Sequence, residues 1–109
     1  MFSTLIVARM SPESAADVAR VFGDFDDTDM PHLMGTRRRE LFHFKGLYFH
    51  LQDFDDTAHH EVIEEVKAHP SFVQISADLK PFIEAYDPLT WRSPKDAMAT
   101  RFYHWSAAA

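Results

Sequence analysis

Between residues 37 and 52 the chain reads Arg37-Arg38-Arg39-Glu40-Leu41-Phe42-His43-Phe44 and then, after Lys45-Gly46, Leu47-Tyr48-Phe49-His50-Leu51-Gln52. Two runs of alternating character meeting at a Lys-Gly step predict a β-hairpin with a two-residue turn. That turn sets Phe44 opposite Leu47, His43 opposite Tyr48, Leu41 opposite His50 and Arg39 opposite Gln52. Because side chains alternate along a strand, one face carries Phe42, Phe44, Leu47, Phe49 and Leu51, and the other carries Arg37, Arg39, Leu41, His43, Tyr48, His50 and Gln52. The first face is expected to lie under helices. The second mixes ionisable, hydrogen-bonding and aromatic groups, which fits the wall of a pocket for a polar aromatic molecule, with Arg39 and His50 as diagonal neighbours.

The rest of the chain supplies elements to complete a sheet. Phe2 to Met10 reads as a strand, and Ser11-Pro12-Glu13 starts a helix at about Pro12, with Ser11 as N-cap. Its apolar stripe is Ala15, Val18, Ala19 and Phe22, with Gly23 at the C-cap position. Asp24 to Gly35 reads as an acidic loop. After the hairpin, Asp53 to Thr57 can cap a helix through about Ala68. Pro70 breaks that helix, and Phe72, Ile75, Leu79, Phe82, Ile83 and Tyr86 mark a further helical stripe, bent at Pro81. An irregular stretch from Asp87 to about Asp96 precedes a last strand at Thr100 to Trp105, and residues 107–109 read as a disordered tail. The order is strand, helix, strand, strand, helix pair, strand. This is the α+β, ferredoxin-like βαββαβ arrangement, an antiparallel sheet with helices on one face. Its uncovered face is expected to hold the Arg39 and His50 row and to be closed by a second subunit as a homodimer.

With 109 residues, the chain is expected to be one domain, spanning 1–109. A formal net charge of −6 argues against nucleic acid and anionic membrane as partners, and Arg37 to Arg39 form the one basic cluster. The first ten residues lack the charged start and apolar centre of a signal peptide, so a cytoplasmic location is expected. Zero cysteines remove disulfides and thiolate chemistry.

His50, near Arg39 and Tyr48, is a candidate acid or base, since burial and a neighbouring cation favour its neutral form. A half-buried hydrogen-bonding His is the plainer explanation. Arg39 suits a phenolate or enolate oxygen, with an ordinary ion pair to Asp26, Asp27 or Asp53 as its structural alternative. Arg38 should point away from Arg39. His59-His60-Glu61 with Glu64-Glu65 makes an incomplete metal set and reads as a solvated helix face. His32, His69 and His104 have no evident partner, and no phosphate loop, nucleophile elbow or dinucleotide fingerprint occurs.

Five strings in order carry a resemblance across nearly the whole chain: Asp26-Asp27-Thr28-Asp29-Met30-Pro31, Gly35-Thr36-Arg37-Arg38-Arg39-Glu40-Leu41-Phe42, Leu47-Tyr48-Phe49-His50-Leu51, His69-Pro70-Ser71-Phe72 and Phe102-Tyr103-His104-Trp105. Together they resemble the polyketide synthesis cyclase family. The resemblance implies a dimeric α/β barrel of ferredoxin-like subunits, without metal or organic cofactor, acting in type II aromatic polyketide biosynthesis. The implied reaction is regiospecific intramolecular aldol cyclisation with dehydration of a poly-β-ketone. Arg39, His50 and Asp26 fall on the family's site residues: His50 would move the methylene proton, Arg39 would stabilise the enolate, and Asp26 would hold one of them in place. Tyr48, His43, Phe25 and Gln52 are the expected substrate contacts. One member of the family has a His where this chain has Phe25, so either His50 with Arg39 suffices or the substrate differs in shape and ring number, and a different substrate is the expectation. A cofactor-free aromatic polyketide monooxygenase and a non-catalytic accessory subunit of a polyketide synthase are the alternatives, and an acyl carrier protein is a candidate partner.

Overall fold

The structure is a computed structural model, and it describes residues 2–55, 66–92 and 94–107. The strands are β1 (Phe2–Met10), β2 (Thr36–Phe44), β3 (Leu47–Phe54) and the short β4 (Ile83–Ala85). They form one antiparallel sheet in the order β2-β3-β1-β4. The helices are α1 (Ala15–Asp26), entered through a 3₁₀ turn at Pro12–Ser14, then α2 (Met30–Met34) and α3 (Pro70–Leu79). This is the ferredoxin-like order expected.

The hairpin forms in the register its sequence dictates, with Arg39 opposite Gln52, Leu41 opposite His50, His43 opposite Tyr48 and Phe44 opposite Leu47. Lys45 (φ 49°) and Gly46 (φ 81°) both adopt left-handed backbone, the type I′ geometry whose twist matches that of the strands. The Met10 amide donates to the Gly46 carbonyl at 3.0 Å, tying the turn to β1.

The helices lie on the opposite hairpin face from the one expected. Ala8 and Met10 of β1 and Tyr48 of β3 are buried in one cluster with Val18, Phe22 and Phe25 of α1, Met30 and Met34 of α2, Val66 and Ile75. The pairing of Ile6 with His50 and Ala8 with Tyr48 puts His50 and Tyr48 on that covered face. Phe42 and Phe44 face away, 50% and 61% exposed. The prediction that the Arg39 and His50 row lines the uncovered face is therefore corrected: that row faces the helices. The polar groups on it find partners there, and Phe22 and Phe25 of α1 join Tyr48 of the hairpin in filling the layer. Burying each of Val18, Phe22 and Phe25 contributes about 1.5–3 kcal/mol.

Several local expectations shift as well. Gly23 is not a C-cap, and α1 runs on to Asp26, with Asp27 as its C-cap. The stretch expected to be a loop thus contains the last turn of α1 and all of α2. Gly35 closes α2 in the left-handed conformation (φ 75°), and its amide donates to the His32 carbonyl. Ser11 makes no side-chain cap, and Ala19 is exposed. His69 is the N-cap of α3, its Nδ1 accepting from the Ser71 amide at 3.1 Å, with Pro70 at the first helical position. The helix ends at Leu79 because Pro81 has no amide hydrogen to carry the ladder on; Lys80 keeps helical backbone and its amide closes the last turn on the Ala77 carbonyl. Phe82 and Ile83 still pack on the core, but from the turn before β4 and from β4 itself, so they are not a continuation of the helical stripe.

The last strand is accordingly Ile83–Ala85, paired with Ala8 to Met10, and not Thr100 to Trp105. The latter residues are exposed and lie in no strand. Met98 bridges Ile6 and the Ala99 amide donates to the Leu5 carbonyl at 2.7 Å, so the chain briefly rejoins the β1 edge. Most of the helix expected up to Ala68, the His59-His60-Glu61 and Glu64-Glu65 groups, and the end of the tail at 108–109 lie outside the described residues; Val66 and Lys67 are helical.

Candidate active site

The site is built where the C-terminal turn of α1 crosses β2 and β3. Continuation of α1 past Gly23 places Phe22 and Asp26 one helical turn apart on one face, with Phe25 beside them. Arg39 comes from β2, just after a β-bulge between Thr36 and Arg38, and His50 comes from the neighbouring strand. The Arg39 side chain is only 8% exposed, so a permanent positive charge sits almost wholly within the protein.

A buried cation is tolerated only when its donors are satisfied. Nε of Arg39 donates to Asp26 Oδ2 at 3.1 Å, and Nη2 donates to Asp26 Oδ1 at 3.0 Å, a two-pronged grip of guanidinium on carboxylate. Nη1 lies 2.9 Å from His50 Nε2. Arginine can only donate, so Nε2 is the acceptor and the neutral ring carries its proton on Nδ1. The guanidinium carbon also stands 4.9 Å from the Phe22 ring centroid and 5.7 Å from that of Phe25, within cation–π range. Phe22 meets His50 edge-on at 5.2 Å.

These surroundings set the protonation states. Burial, and then the Arg39 charge, pull the His50 imidazolium down to about 3, so the ring is neutral at physiological pH. Burial pushes the Tyr48 phenol well above its ordinary value despite the opposing pull of Arg39, so it stays protonated. The centre is therefore one fixed positive charge, one neutral imidazole and one half-exposed carboxylate. Such a group can hold an oxygen on which negative charge develops.

Arg39, His50 and Asp26 are thus brought together as the sequence predicts, and Phe25 and Tyr48 border them. Gln52 is buried on the same face, its amide donating to Thr36 Oγ1 at 2.8 Å. His43 is exposed near the hairpin tip and is not part of the group. Arg38 points to the other face, as expected, and pairs with Asp53. Phe22 and Thr36 belong to the neighbourhood but are not picked out by sequence reasoning. The Phe22, Phe25 and Asp26 spacing is the signal for the first, hidden by reading Gly23 as a helix end. A recess of about 210 Å³ opens against Asp26 and Arg39, lined also by Pro31, Thr36, Arg37 and Arg38. A larger recess of about 380 Å³ lies apart, between Val7 and the loop bearing Tyr86 and Trp91; neither Arg39 nor His50 lines it, so the smaller one is the candidate site. Among the described residues no three His, Asp or Glu side chains gather as a metal site, and no helix is long and apolar enough to cross a membrane.

The fold agrees with what comparison with known proteins shows. The profile described as polyketide synthesis cyclase matches residues 2–106, and the chain belongs to that family. A Streptomyces coelicolor protein of uncharacterized function is 50% identical over 96% of this chain and 95% of its own. The polyketide synthase CurG of Streptomyces cyaneus is 43% identical over 96% of this chain and 97% of its own. Tetracenomycin F2 cyclase of Streptomyces glaucescens is 36% identical over 97% of this chain and 95% of its own. Its solved structure, described as a type II polyketide cyclase, superposes with a TM-score of 0.88, covering 99% of this chain and all of that one at 35% identity. A structure from Caulobacter crescentus described as an antibiotic biosynthesis monooxygenase and a cofactor-independent oxygenase of Streptomyces nogalater share the fold at 19% and 14% identity, with TM-scores of 0.57 and 0.56 over 74% of this chain and 76% and 81% of theirs.

Proposed function

We propose that this chain is a single-domain cyclase of type II aromatic polyketide biosynthesis, an enzyme that closes a ring in a poly-β-ketone by intramolecular aldol addition and loss of water. The buried Arg39 guanidinium, held between Asp26 and His50, is the observation that carries this reading. A methylene between two carbonyls is already acidic, so the enzyme's main tasks are to fold the chain and to stabilise the enolate. Arg39 supplies the charge for the enolate oxygen. The methylene proton leaves to water at the open recess, the enolate carbon bonds to a second carbonyl carbon, and the resulting alkoxide is protonated before dehydration.

The role of His50 follows from its lone pair. With Nε2 committed to Arg39 and the ring held neutral, it is a weak base, and we assign it to orienting Arg39 and not to taking the proton, which is where residue type alone points. Asp26 fixes the same guanidinium from the other side. Tyr48 and Phe25 form walls, and a protonated phenol and a phenyl ring there favour a flat, partly polar ring system; Gln52 backs that wall through Thr36, and His43 would reach the substrate only at the hairpin tip. The reading includes a homodimer, a cytoplasmic location, and operation without metal or organic cofactor.

Replacing Arg39 by Ala is expected to lower kcat by about 10²–10³-fold with the regiochemistry of the product degraded, the size of effect seen when a principal oxyanion donor is lost. Full rate and unchanged product would overturn the assignment. The shared fold keeps one second reading in view, a cofactor-free monooxygenase. It requires oxygen uptake with the same substrates, and cyclisation requires none, so an oxygen electrode separates them.

A further inference from the structure

We infer that the bulged start of β2 forms an anion subsite centred on Arg37, which takes the acidic end of the substrate while Arg39 holds its reacting oxygen. The observation is a difference among three adjacent cations. Arg39 is buried and paired with Asp26, and Arg38 is matched by Asp53 at 3.1 Å and Glu40 at 3.5 Å. Arg37 has neither a hydrogen bond nor an ion pair among the described residues and is exposed to solvent. The register explains its position: Thr36 pairs with Phe54 and Arg38 with Asp53, leaving Arg37 as the extra residue with no partner across the strand. A bulge leaves such a residue outside the regular pairing of the ladder. Arg37 and Arg39 line the same recess with Pro31, Thr36, Arg38 and Asp26, and the Asp26 carboxylate is already taken up by Arg39.

In a protein of net charge −6, a cation that pairs with no acid among the described residues, at a recess that also reaches the buried guanidinium, calls for an anionic ligand. This deepens the cyclase reading and rests on it for the identity of that ligand. A polyketide presents a negative charge at its terminus in one of two ways. Released from its carrier, it ends in a carboxylate; still carried, it ends in a thioester on an arm bearing a phosphodiester. Arg37 at the mouth and Arg39 within set the distance between that charge and the carbonyl that reacts, so the subsite selects which ring closes.

The test is a titration of the wild-type protein and of Arg37→Gln with anthraquinone-2-carboxylate, with its carboxamide and with 4′-phosphopantetheine, followed through the backbone amide resonances of residues 35–39. At least one of the two anions is expected to bind the wild type, with Arg37→Gln weakening it about fivefold, the range of a partly exposed charge pair. Arg37→Lys should retain much of the affinity, and the carboxamide should be indifferent to either variant. Which anion responds identifies the source. Equal binding of carboxylate and carboxamide, an unchanged affinity in Arg37→Gln, or no response to either anion overturns the proposal. Loss of cyclisation in Arg39→Ala is read separately, so the subsite and the catalytic assignment fail independently.

Discussion

At the scale of single residues, His50 links folding to pH in a direction that can be worked out. Its folded value lies near 3, below the roughly 6.5 of an exposed imidazole, so between those two values the unfolded chain binds a proton that the folded chain does not. Stability is therefore complete above about pH 6.5 and falls as pH drops toward 3, by at most about 1.4 kcal/mol per pH unit from this one group. Replacing His50 by Gln removes that dependence. Thermal midpoints of the two proteins, measured from pH 7.5 down to 5, should converge as pH falls, because only the wild type carries the penalty. Parallel curves would show that His50 binds its proton equally well in the folded and unfolded chain. The same burial argues that kcat should have no inflection from His50 between pH 5 and 8, since a group that orients Arg39 while neutral does not titrate there.

At the scale of elements, α1 decides the architecture of the site. Gly23 sits inside it, exposed, and an added Cβ there would meet nothing within 4 Å. Gly23→Ala should therefore stabilise the protein by about 1 kcal/mol through helix propensity alone, raising the thermal midpoint by about 4–8 °C for a domain of this size. A lowered midpoint would mean that the helix ends before Asp26. That Gly also marks where the sequence misleads. Glycine so often follows the last turn of a helix that an acidic Asp24 to Gly35 stretch after it reads as loop, yet the Phe22, Phe25 and Asp26 face continues the helical period and delivers the carboxylate to Arg39. The hairpin was legible to the residue, because its turn residues and its alternation agree. Which side of it meets the helices was not, since both faces are apolar enough to be covered and the alternation is silent about what covers them. The final strand went astray for a related reason: Thr100 to Trp105 alternates well, but Ile83 to Ala85 lies closer along the chain to the end of α3 and already occupies the β1 edge beside Ala8 to Met10.

At the scale of the whole molecule, the correction to the hairpin's orientation sharpens the expectation of a dimer. With the Arg39 and His50 row turned toward the helices, the outer sheet face is the one bearing Leu5 and Val7 of β1, Phe42 and Phe44 of β2, and Leu47, Phe49 and Leu51 of β3. A contiguous apolar surface of this kind on a small domain is rarely left in water. The flanking edge of β2 carries the exposed Arg37 and Arg38, which discourages open-ended strand pairing and favours closed, face-to-face association of two copies. Sedimentation equilibrium should accordingly give twice the 12.6 kDa chain mass at micromolar concentration. Phe42 is half exposed and faces Phe49 across the strands, so Phe42→Asp places a charge in that interface without entering the core. Loss of an aromatic anchor there costs about 2 kcal/mol or more, roughly a 30-fold weaker association, and the variant should sediment as a folded monomer with an unchanged far-ultraviolet circular dichroism spectrum. A wild-type protein that remains monomeric at tens of micromolar would leave the outer face uncovered and remove the dimer from the functional reading, while the Arg39 centre, built entirely from one chain, would stand.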